Sequence, residues 1–106
     1  MPSLLHTYPN KPLKIRLLLE NTGKHTLKGV LRPQCYIMGT GKYSSLLRLN
    51  LLNQEILPGG KEVVSVLLES PAGFGEALKV GVLLTIKDGI TPMGKGVILE
   101  IGEAHF

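Results

Sequence analysis

The sequence predicts an all-β protein, an antiparallel barrel or sandwich of about six short strands, and three observations predict it. Apolar and polar residues alternate over several segments, as they do in a strand with one buried face. Thirteen glycines and seven prolines, scattered along 106 residues, cut the chain into short pieces. No long stretch carries a helical period with a cap and a stop.

The elements follow in order. Residues 1–12 read as a lead-in, and residues 13–106 as one domain. In Leu13-Lys14-Ile15-Arg16-Leu17-Leu18-Leu19-Glu20 the odd positions are apolar, so one face of a strand buries Leu13, Ile15, Leu17 and Leu19. Arg32 to Met38 is the second strand, with Pro33 near its start where a missing N–H is tolerated. Leu47, Leu49 and Leu51 alternate with Arg48 and Asn50 in the third. Pro58-Gly59-Gly60 is a turn, and Glu62 to Glu69 follows with Val64, Val66 and Leu68 on one face. Lys79 to Lys87 alternates again, placing Val80, Val82, Leu84 and Ile86 inward. Asp88-Gly89 supplies hairpin chemistry, since both residue types accept a positive φ. Gly96 to Ile101 closes the set, with Val97, Leu99 and Ile101 sharing a side. The small-residue stretch from Ser70 to Ala77 is a loop across one end.

Hydrophobic residues make up 43% of the chain and the formal net charge is +4. The first is ordinary for a globular domain and the second suits an anionic partner such as RNA. The single cysteine, Cys35, has no internal disulfide partner and sits in an apolar run, the setting of a small buried hydrophobe. That usage agrees with a reducing, cytoplasmic setting. No run approaches the roughly 18 apolar residues of a membrane helix, and residues 1–12 lack the pattern of a signal peptide, so no membrane partner is expected.

Two clusters stand out: Gly23-Lys24-His25-Thr26, and Arg32-Pro33-Gln34 running into Cys35-Tyr36-Ile37. With Ile56-Leu57-Pro58-Gly59 and the stretch from Ile86 to Val97, they resemble, in order and near spacing, the C-terminal β-barrel domain of translation elongation factor Tu. That family carries Gly-Gly-Arg-His-Thr, then Arg-Pro-Gln before three aromatic or apolar residues, then an apolar-Pro-Gly turn, then a glycine-rich final hairpin. The resemblance spans about Leu13 to Ile101 and implies a six-stranded antiparallel barrel, here as a stand-alone domain.

It also implies contacts with the T-stem of aminoacyl-tRNA or with translation proteins. Lys24 and His25 would face an RNA backbone from the turn Gly23–Thr26, Gln34 and Thr40 would occupy further backbone-contacting positions, and Asp88-Gly89 would match the acidic-glycine pair of the last hairpin. A lysine neutralises phosphate as a point charge, and a glycine permits close approach. The departures are Thr22 for glycine, Lys24 for arginine, and Ile90-Thr91 where the family has glycine and arginine. The lost arginine removes a bidentate phosphate donor. No Gly-x-x-x-x-Gly-Lys-[Ser/Thr] loop occurs, so GTP chemistry of that kind is not expected.

The competing readings are plainer. Lys24 and His25 fit a solvated turn, and Lys11, Lys14 and Arg16 fit a solvated strand edge as well as they fit a basic face with Lys24 and Lys28. His6, His25 and His105 match no metal-ligand spacing. Cys35 and Ser44-Ser45 lack a histidine and carboxylate at a recognisable spacing. Gly39-Thr40-Gly41-Lys42 and Gly94-Lys95-Gly96 read as hairpin turns, since neither stands between a strand and a helix. The expectation is a non-catalytic module, without cofactor or metal, contacting tRNA-like RNA or a translation protein. The alternative is a protein–protein interaction barrel that has lost RNA binding.

Overall fold

The computed structural model describes residues 12–39, 44–71, 74 and 77–102. Its strands are β1 (Leu13–Asn21), β2 (Leu27–Leu31), β3 (Gln34–Ile37), β4 (Ser44–Ile56), β5 (Lys61–Leu68), β6 (Leu83–Asp88) and β7 (Thr91–Ile101). Strands β4, β3, β6, β7, β1 and β5 form a closed antiparallel ring, because β4 pairs with both β3 and β5. The expected six-stranded barrel is therefore present, with β2 as one additional strand.

Strand β2 is a piece that sequence periodicity missed. Leu31 pairs with Leu49 and Gln34 with Leu46, and the Pro33 carbonyl accepts from the Leu47 N–H at 2.8 Å. One register thus runs along β4 across Arg32-Pro33, and β2 and β3 are two segments of one line. Proline has no N–H for the ladder, so the line breaks there. The expected strand from Arg32 to Met38 is shorter, Gln34–Ile37.

The alternation of β1 holds throughout: Leu13, Ile15, Leu17 and Leu19 are buried, and Lys14 and Arg16 are exposed. Leu47, Leu49, Leu51, Val64, Val66, Leu68, Leu84 and Ile86 meet them in one core. Phe74, from the stretch read as a loop, and Leu78, just after it, are buried in the same cluster.

Three further expectations need correction. Val80 and Gly81 form a turn and Val80 is exposed, so the sixth strand starts at Leu83 rather than Lys79. Gly94-Lys95-Gly96 is not a turn but lies within β7. There Gly94, Gly96 and Ile98 are the buried positions, while Val97 is half-buried and Leu99 exposed. A bulge explains the phase: Arg16 pairs with Glu100 but Leu17 with Ile98, so Leu99 is the extra residue and Ile101 turns back to the core. Glycines hold the inward positions because β1 crowds them. A Cβ on Gly94 would lie 2.6 Å from the Glu20 carbonyl oxygen.

Candidate functional site

The inward phase of β1 continues past Leu19 to Asn21, a polar residue with no solvent exposure at the barrel end. Burying an amide is tolerable only if its hydrogen bonds are made. Its Nδ2 donates to the carbonyls of His25 (2.8 Å) and Ile56 (2.9 Å), and its Oδ1 accepts from the Gly23 N–H (2.9 Å). Its main chain joins in: the Asn21 N–H donates to the Gly60 carbonyl at 3.0 Å, and the Gly59 N–H donates to the Asn21 carbonyl at 2.8 Å. Thr22 N–H then reaches the Met93 carbonyl at 3.1 Å. One asparagine therefore ties the turn after β1 to the turn after β4 and the start of β7. Periodicity alone passed over it; the available signal was a polar residue in the phase of the core.

The turn so held presents Lys24 and His25 to solvent, with Gly23 and Thr26 half-buried. Neither the Lys24 ammonium nor the His25 imidazole makes a hydrogen bond or ion pair with another described residue. Other cations are engaged. Arg16 lies 3.4 Å from Glu100, Lys61 and Lys95 flank Glu20 at 3.9 and 3.8 Å, and Lys87 sits 5.5 Å above the Tyr36 ring.

The second hairpin stands beside this turn. Asp88 pairs with Thr91, so Gly89 and Ile90 are the central residues of a two-residue loop. Gly89 has φ 62° and no described non-glycine residue, Ile90 included, has a positive φ, the pattern of a type II′ turn. Asp88 is thus a strand residue, contrary to the expectation that it would share the positive φ. Ile90, at the tip, is 94% exposed. Gln34 pairs with Lys87 next to Asp88, and its Oε1 accepts from the Tyr36 hydroxyl at 2.8 Å. Gly23, Lys24, His25, Thr26, Gln34, Asp88 and Gly89 accordingly gather at one end of the barrel. Thr40, His6 and His105 lie outside the described residues.

The second motif of the sequence, Arg32-Pro33-Gln34, is an internal clamp at its arginine. Arg32 Nε and Nη2 each donate to a Glu69 carboxylate oxygen at 2.8 Å. This hydrogen-bonded pair, helped by the charges of Arg32 and Arg48, holds the Glu69 carboxyl below its ordinary range against some desolvation.

Two of the conventional nucleophiles, Cys35 and Ser45, are occupied by structure. Cys35 is fully buried, and burial pushes its thiol up to about 12, against a hydrogen bond with the Ser45 backbone. Ser45 is buried too. Its Oγ accepts from the Ser70 N–H and donates to the Leu46 carbonyl, both at 2.9 Å. An alcohol so held and a thiol so protonated are poor attackers.

Away from the end, the outer wall carries an apolar row across strands. Leu18 pairs with Val63 on one side and Val97 on the other, Val97 pairs with Leu83, and the Met38 N–H donates to the Leu83 carbonyl. Leu18, Val97, Leu83 and Met38 line a groove of about 160 Å³ bordered by Glu20, Lys61 and Lys95. No protein-family model matches this chain, and no curated protein matches it.

Proposed function

We propose that this protein is a non-catalytic binding module, related to the C-terminal barrel of elongation factor Tu, that contacts the phosphate backbone of tRNA-like RNA through the turn Gly23–Thr26. The observation that carries this reading is the turn itself. Asn21 uses two of its three side-chain hydrogen bonds to hold a loop whose cation and imidazole have no partner among the described residues, and the third anchors it to Ile56. A loop fixed in advance loses little entropy on binding, and an unpaired lysine gives up no internal ion pair when it meets phosphate. The family relation rests on the ordered sequence motifs, and a cytoplasmic location goes with it.

The test is a titration of labelled tRNA across a salt series. The logarithm of affinity falls linearly with the logarithm of salt, and Lys24→Glu weakens binding at every RNA sequence. Absence of tRNA binding at low salt, or an unchanged Lys24→Glu variant, removes the RNA reading.

A second reading, a protein–protein interaction barrel, is favoured by a different observation. The row Val63, Leu18, Val97, Leu83 and Met38 is continuous across strands, and Ile90 projects alone from its hairpin. Contiguous exposed apolar surface of this kind marks partner contacts more often than nucleic-acid contacts.

A further inference from the structure

The outer wall bears a second, differently built surface on β1, β5 and β4, remote from the turn. Lys14 pairs with Leu67, and Leu67 with Arg48, so the two cations flank one leucine across three strands. Arg16 pairs with Ser65, and Asn50 lies next to the last paired position of β4 with β5. Strand spacing puts the Cα atoms of Lys14 and Arg48 about 10 Å apart and those of Lys14 and Arg16 about 7 Å apart. Two shallow depressions of about 530 and 340 Å³ lie side by side here, and both are lined by Lys14 and Ser65. Arg16 closes the first, and Arg48 and Asn50 the second.

We propose that this face binds the sugar–phosphate backbone of a single nucleic-acid strand, independently of the Gly23–Thr26 turn. Three cations lie within one small area, with an amide and a hydroxyl between them, the donor types that contact phosphate oxygens. No aromatic residue lines the face among the described residues, which favours contact with backbone over stacked bases. Two adjoining depressions suit a chain of phosphates better than one compact anion. The local carboxylates hold the cations only loosely: Glu100 lies 3.4 Å from Arg16 with both side chains exposed, and Glu69 lies 3.7 Å from Arg48 while its main bond is to Arg32. The exposed Arg16–Glu100 pair is worth little, so phosphate displaces it readily. Lys14 has no carboxylate partner among the described residues.

The test uses the full chain and a fluorescein-labelled 12-nucleotide oligouridylate, read by anisotropy at 50 mM salt and above. The variant Lys14→Glu/Arg48→Glu is compared with Lys79→Glu/Lys95→Glu, which changes net charge equally, and with Lys24→Glu. The first loses about tenfold in affinity, and its salt slope falls by about 1.4, two single-strand phosphates at roughly 0.7 each. The charge-matched control changes less than about twofold. Urea midpoints confirm folding, and Lys14→Gln/Arg48→Gln replaces the first variant if it is unstable. Equal losses in the two double variants, or no binding of the oligonucleotide at 50 mM salt, overturn the proposal. So does displacement by tripolyphosphate at equal phosphate concentration, which marks a small-anion site. Loss on Lys14→Glu/Arg48→Glu with Lys24→Glu unaffected sustains this face; loss on Lys24→Glu alone overturns it.

Discussion

The two ends of strand β1 share one alternation and carry opposite kinds of construction. At the Asn21 end the inward side chain is polar and fully hydrogen-bonded, and the turn beyond it is tied to two other elements. At the Lys14 end the inward side chains are plain leucine and isoleucine, and the charge stands outside in loose contacts. The first end is built to hold a shape, and the second to hold a charge density. Substitution of the inward asparagine should therefore affect stability, and substitution of the outward cations at either end affinity.

The largest expected effect is at Asn21. Asn21→Ala removes three side-chain hydrogen bonds and strands two carbonyls and an N–H, at a cost of about 3 kcal/mol in urea unfolding. Asn21→Asp is no milder despite its shape, because a carboxylate cannot donate to the two carbonyls. An Asn21→Ala variant as stable as the parent would break the contrast. Next is Gly94→Ala, whose new Cβ meets the Glu20 carbonyl oxygen, at about 1–3 kcal/mol. Gly96→Ala costs less, since its nearest neighbour is the movable Leu17 Cδ1 at 3.4 Å. Equal losses at the two glycines would show that β7 shifts as a whole.

A smaller effect is present at neutral pH and fades in acid. The Glu69 carboxyl titrates lower folded than unfolded, so its stabilisation is complete above the unfolded value, about 4.3, and fades as pH falls through the folded one. Glu69→Gln therefore lowers the urea midpoint at pH 7 and narrows that gap as the parent is acidified. A gap that stays constant with pH would show that Arg32 holds a merely shape-dependent contact. Smallest of all, Lys24→Glu leaves stability within about 0.5 kcal/mol, as do changes at Lys14. A larger loss at Lys24 would mean that the turn is structural rather than presented.

Much of this was legible in the sequence, where burial follows strict alternation. Leu13 to Leu19, Leu47 to Leu51 and Val64 to Leu68 announce their inner faces because each strand keeps one phase. The last strand misled because its inward positions are glycines and a bulge at Leu99 shifts the phase, so Val97 and Leu99 look like core and are not. Strand β2 was hidden by Gly29 and the proline break, which leave too short an apolar pattern to count. Clustering of the turn, Gln34 and the last hairpin at one end depends on pairings between distant strands, which no local pattern carries. Asn21 was visible only as an exception to the alternation, and its role needed the carbonyls it binds.

The central claim is that a preformed turn, rather than the apolar wall, meets the ligand. Amide chemical shifts of the full chain, followed by NMR during titration with an RNA hairpin at low salt, test it directly. The account predicts shifts concentrated at Gly23, Lys24, His25 and Thr26, with Leu18, Val97 and Leu83 still. Shifts confined to that apolar row, or none at the turn, would contradict it.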